Sequence, residues 1–89
     1  MGRDTEVFNE ISRRYRALEA QFSTFQAQWR QVSYDGLRQM EYIFQSEFDW
    51  AKEKKDSVTD EGQLASIDTM ILRYEEWRNF ARDCITAPR

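Results

Sequence analysis

The chain has 89 residues, enough for one small domain, with 16 acidic and 13 basic side chains and a formal net charge of −3. It has no histidine and one cysteine, which excludes structural zinc sites, iron–sulfur clusters and histidine-based catalytic triads within a single chain. Aromatic residues make up 15% of the chain, whereas three glycines and one proline leave little material for turns. This composition favours a few long helices over many short strands.

The first predicted helix spans about residues 5–32. Its apolar side chains follow one another at spacings of three and four residues, which places them on a single stripe of a helix. The stripe consists of Phe8, Ile11, Tyr15, Leu18, Phe22, Phe25, Trp29 and Val32. Because it is strongly aromatic, this stripe is typical of a globular bundle rather than of a parallel two-stranded coiled coil, whose seam prefers Leu, Ile and Val.

The second predicted helix spans about residues 34–55, and Ser33 is a suitable N-cap for it. Its apolar stripe is wide enough to contact two neighbouring helices. The apolar residues are Leu37, Met40, Ile43, Phe44, Phe48, Trp50 and Ala51. The third predicted helix spans about residues 60–85, with Ser57 or Thr59 as its cap, and residues 86–89 are expected to form a flexible tail.

Short connections make consecutive helices antiparallel neighbours, so the sequence predicts an all-α, up-down-up three-helix bundle as a single domain over residues 1–89. If each helix starts level with the end of the helix before it, Trp77 lies beside Trp29 and Met40. The alternative is an extended helical hairpin that completes its core by dimerising, because a core this small is often marginal on its own.

Two charged residues, Glu47 and Arg78, interrupt apolar seams of the second and third helices. The same register separates them by about 15 Å along the bundle, so they are not expected to pair, and Asp35 is the expected partner of Arg78. There are two interpretations of these residues. They lie at the edge of the core with their charged heads in water, or one or both contact another chain, where a desolvated arginine serves as an anchor.

The end of the third helix is a second candidate contact region. In the predicted register Cys84 and Ile85 extend past the first turn, and with Phe80 and Tyr34 they form an exposed apolar patch. The alternative is that Tyr34 and the loop fold over them, or that the helix end frays. Exposed apolar patches mark interaction sites. The candidate partner-binding residues are therefore Tyr34, Glu47, Arg78, Phe80, Cys84 and Ile85.

The composition also sets expectations about surroundings and ligands. A single cysteine forms no intrachain disulfide, which favours a reducing, cytoplasmic setting. The short apolar runs argue against membrane insertion, and the acidic balance gives little electrostatic drive for nucleic-acid binding. No cofactor, metal or small-molecule ligand is expected.

The predicted function is that of a non-catalytic protein–protein interaction module, such as an adaptor, assembly subunit, chaperone or small inhibitor. It would bind a protein partner or itself through a helical face. One alternative is a small helical enzyme that uses charges in a cavity between helices, with Glu47, Arg78, Arg30 and Arg38 as candidates. Another is a helical fragment of a larger structural protein.

Overall fold

The structure, a computed structural model, describes the backbone of residues 2–88 and the side chains of residues 5–88. This part of the chain consists of three α-helices, α1 (Gly2–Gln28), α2 (Tyr34–Lys55) and α3 (Glu61–Thr86), and contains no strand. A short 3-10 helix, Trp29–Gln31, follows α1 where the sequence predicts a continuous helix to residue 32. The helices pack into an elongated bundle of 49 × 17 × 17 Å, which confirms the predicted all-α fold.

Side-chain caps fix where α2 and α3 begin. The Ser33 hydroxyl accepts a hydrogen bond of 3.1 Å from the backbone N–H of Gly36, as expected for the predicted cap. At α3 the cap is Asp60, whose carboxylate accepts a bond of 3.3 Å from the backbone N–H two residues further on, rather than Ser57 or Thr59. Each cap satisfies a backbone donor that the first helical turn leaves without an intrahelical partner.

The C-terminal segment is described only in part. The last helical residue is Thr86, and the backbone N–H of Ala87 donates to the carbonyl oxygen of Asp83 at 2.9 Å. Residue 89 lies outside the described residues, so the flexible tail stays a prediction.

The three helices are not spaced evenly. Helices α2 and α3 pack closely, and the short side chains of Ala51 and Ala81, both fully buried, allow their axes to approach. Aromatic rings separate α1 from this hairpin. The Phe22 ring of α1 stacks on Trp77 with 5.2 Å between ring centroids, and it meets the Phe44 ring edge-on at 5.7 Å. Because these rings hold α1 away from α2, a groove stays open between the two helices.

The register of α3 differs from the predicted one. Trp77 lies level with Phe22 and Phe44, so its predicted position beside Trp29 and Met40 is wrong. The shift arises at the second connection, where the last residue of α2, Lys55, forms an ion pair with Asp68. The first two turns of α3 therefore extend past the end of α2, whereas the prediction assumed that the helices start and end level.

The connection between α2 and α3 packs against these first turns of α3. Val58, in the connection, is 5% exposed and forms a small cluster with the fully buried Ile11 of α1 and Ile67 of α3. This second cluster closes the end of the bundle and fixes the shifted register.

Candidate interaction surfaces

The sequence predicts that Glu47 and Arg78 do not pair, and they do not. Glu47 instead forms an ion pair with Arg14 across the gap between α1 and α2. Arg14 Nε donates to Glu47 Oε2 at 3.2 Å, and Nη2 donates to Oε1. The guanidinium carbon lies 3.9 Å from the ring centroid of Trp50. The hydrogen bond that Arg14 donates to Glu47 raises the pKa of Arg14. A two-point hydrogen bond and a cation–π contact together fix the orientation of this guanidinium.

A double-mutant cycle of Arg14→Gln and Glu47→Gln is expected to give a coupling energy of about 1 kcal/mol, because Glu47 is mostly buried but Arg14 is partly hydrated. The Glu47 side chain is 17% exposed and the Arg14 side chain is 41% exposed. Urea unfolding of the four proteins measures this coupling. The matched control is the Lys55–Asp68 pair, whose side chains are 36% and 57% exposed, and its coupling is expected near zero. Equal couplings in the two cycles would contradict a special role for the Arg14–Glu47 pair.

Tyr74 lies in the core beside this ion pair. It is fully buried, its ring centroid is 5.7 Å from that of Tyr15, and its hydroxyl has no hydrogen-bond partner among the described residues. Burial raises the pKa of Tyr74, and the negative charge of Glu47 raises it further. The phenol is therefore held neutral in the folded protein.

The predicted pairing of Arg78 with Asp35 is wrong. Arg78 Nη1 donates to Gln45 Oε1 at 2.8 Å, Nη2 donates to Asn79 Oδ1 at 2.9 Å, and Glu75 lies 3.8 Å away. The cause is the register shift, which moves the facing residue about eight positions along α2, or roughly 12 Å. The Arg78 side chain is 16% exposed, and its contact with another chain stays a prediction.

The end of α3 does not overhang the bundle. Arg82 Nε donates to Glu41 Oε2 at 2.7 Å, which places the last turns of α3 beside the first turns of α2. The exposed patch was predicted at Tyr34, Phe80, Cys84 and Ile85. Of these residues, Cys84 is 4% exposed, whereas Tyr34 is 53% exposed. Phe80 and Ile85 are partly buried against the core, so the shifted register of α3, and not a covering loop, removes the predicted patch.

Arg30 and Arg38, two of the candidate residues for an enzyme, contact different aromatic rings. Arg30 lies 4.8 Å from the Trp29 ring at the end of α1, and Arg38 lies 5.9 Å from the Tyr34 ring at the start of α2. A cleft of about 280 Å³ does contain two arginines, Arg38 and Arg82, but it is a surface depression between α2 and α3. In the described part of the chain no three Cys, Asp or Glu side chains are placed to hold a metal ion.

The α1/α2 groove is a trough of about 590 Å³ between α1 and the start of α2. Its lining residues are Ala20, Gln21, Thr24, Phe25, Gln28, Val32, Gly36, Gln39 and Met40. None of them is charged, although charged residues make up 33% of the chain. Depletion of charge is the compositional mark of the buried centre of a protein–protein interface.

The α1/α2 groove continues along α1 towards the Arg14–Glu47 pair. An adjoining depression of about 280 Å³ shares Gln21 and is bordered by Ala17, Arg14 and Glu47. From Arg14 to Gln28 the combined groove spans roughly 21 Å, or about four helical turns. Its wall on α1 consists of short or uncharged side chains, apart from Arg14 at one end.

The chain matches no protein-family model, no curated protein and no solved structure in the three comparisons. Within the described helices, none has a stretch both apolar and long enough to cross a lipid bilayer.

Proposed function

We propose that this chain is a non-catalytic protein–protein interaction module that receives an amphipathic helix in the α1/α2 groove, either from another protein or from a second copy of itself. The observation that carries the proposal is the absence of charged residues from the lining of the 590 Å³ groove. A partner helix that fills it would desolvate no charge, so the burial of apolar surface is not offset by the cost of removing ions from water.

The walls of the groove suit a helix. A three-helix bundle with an open groove accepts a fourth helix in the geometry of a four-helix bundle. Ala17 and Ala20 on α1 are exposed and short, which lets a partner's backbone approach closely. Met40 on the α2 side has a flexible, polarisable side chain that adapts to different apolar partners. The expected ligand therefore presents apolar residues at i, i+3, i+4 and i+7.

Three purified proteins test this proposal: the wild type, Ala20→Arg in the groove lining, and Ser23→Arg at an α1 position outside that lining. Both positions are exposed, and both substitutions add one positive charge. Partners captured from an extract of the source organism by the immobilised wild type are purified and titrated against all three by calorimetry. We expect Ala20→Arg to bind at least tenfold more weakly and Ser23→Arg to bind like the wild type, since an unpaired charge buried in an interface costs several kcal/mol.

Circular dichroism of each variant establishes that the helical content is unchanged. If all three proteins bind a partner with the same affinity, binding occurs elsewhere on the bundle and the groove proposal is rejected.

A further inference from the structure

We infer that the occupant of the α1/α2 groove is a second copy of this chain, with α1 of each copy packed antiparallel against α1 of the other. This inference rests on the proposed function, because it names the helix that the groove receives. It is carried by the composition of α1 itself, by the hydrogen-bonding groups that an antiparallel pairing brings together, and by the area that a stable interface needs.

The exposed wall of α1 is self-complementary. Ala17, Ala20 and Thr24 form a short, uncharged stripe that lines the groove of one copy and is also the face that enters the groove of the other. A two-fold interface requires one patch to act in both roles. Residues 20–29 contain no charged side chain. In a pairing about Gln21 this stretch faces residues 13–22 of the other copy, so no charged side chain lies opposite a like charge.

The antiparallel register satisfies the polar groups in the groove. Gln21 lies midway between Arg14 and Gln28, so pairing about Gln21 brings the two Gln21 amides together and each Arg14 opposite a Gln28. A side-chain amide both donates and accepts, so two Gln21 side chains satisfy each other. Arg14 uses Nε and Nη2 for Glu47 and keeps N–H groups that can donate to the Gln28 carbonyl of the second copy.

The area also favours a second copy over a single helix. A helix of about 10 Å diameter with half of its side buried over roughly 21 Å covers about 330 Å². That is less than half of the ~800 Å² per partner in a typical stable interface. In a two-fold dimer each copy both receives a helix and inserts one. The α1 wall takes part in both contacts and is counted once, so the area buried per copy exceeds ~330 Å² and moves towards the stable range.

Light scattering coupled to size exclusion, over a tenfold range of concentration, gives the first test. The chain mass is 10.8 kDa, and we expect a dimer of twice that mass. Ala20→Arg is expected to raise the dimer dissociation constant at least tenfold, and Ser23→Arg to leave it unchanged. Circular dichroism controls for folding.

Cysteine cross-linking tests the register. In the proposed dimer position 21 lies at the two-fold axis, so Gln21→Cys is expected to form a disulfide-linked dimer with oxidised glutathione, whereas Ser23→Cys is not, because a disulfide needs Cα atoms within about 7 Å. The native Cys84 is buried in the wild-type protein, which serves as the background control.

Any of three results would overturn this arrangement: a monomeric mass at every concentration, a dimer that Ala20→Arg does not weaken, or a dimer that does not cross-link through position 21. The proposed function fails separately. If the chain is monomeric, binds another protein through the groove and loses that binding with Ala20→Arg, the proposed function stands. A second copy is then rejected as the occupant of the groove.

Discussion

Replacing Trp77 with alanine is expected to lower the free energy of unfolding by about 3–5 kcal/mol. Trp77 is 2% exposed and is the ring on which the three helices converge. Its ring centroid lies 5.2–6.0 Å from those of Tyr15, Phe22, Phe44 and Tyr74. A domain of this size has a total stability of roughly 5–13 kcal/mol, so the loss removes a large fraction of it.

Urea unfolding followed by circular dichroism measures the loss at Trp77. The control is Tyr42→Ala, which removes an aromatic ring that is 71% exposed, and a change within about 0.5 kcal/mol is expected there. Trp77→Phe keeps one ring in the cluster and is expected to fall between the two. If Trp77→Ala and Tyr42→Ala cost the same, the aromatic cluster is not what holds α1 to the hairpin.

The local structure of α1 could be predicted from the sequence. The spacing of three and four residues identified Ile11, Leu18 and Phe25 as core residues, and all three are buried. This worked because the period of a helix is fixed by its backbone, so the buried face follows from the order of residues alone.

The register between α2 and α3 could not be predicted in this way. It depends on how the connection packs, and the burial of Val58 against Ile67 extends α3 past the end of α2. Periodicity within each helix is the same in either register. The error then propagated to Arg78, whose partner is Gln45 rather than Asp35.

The α1/α2 groove was missed for a different reason. A search for apolar stripes finds core faces, whereas the wall of this groove is marked by what it lacks, a charged residue between Glu19 and Arg30. That signal was present in the sequence. The width of the groove was not, because it depends on the bulk of the rings that hold α1 away from α2. The Arg14–Glu47 pair across the gap was missed for the same reason.

Tyr74→Phe is expected to stabilise the protein at neutral pH, by about 1 kcal/mol. The Tyr74 hydroxyl is buried without a hydrogen-bond partner among the described residues, so folding removes it from water without compensation. Phenylalanine keeps the ring and its contacts with Tyr15 and Trp77. Urea unfolding at pH 7 measures the gain. The control is Tyr42→Phe, whose ring is exposed and whose hydroxyl is expected to contribute nothing measurable.

The gain from Tyr74→Phe is expected to grow in alkaline solution. Burial raises the pKa of Tyr74 in the folded protein, whereas in the unfolded chain the phenol ionises near pH 10. Above that pH the folded state binds one proton more than the unfolded state, so wild-type stability falls by about 1.4 kcal/mol per pH unit relative to Tyr74→Phe. Below it the difference between the two proteins is constant. Unfolding curves between pH 8 and about pH 12 measure this slope. A difference that stays flat through pH 10 would show that the Tyr74 phenol reaches water in the folded protein.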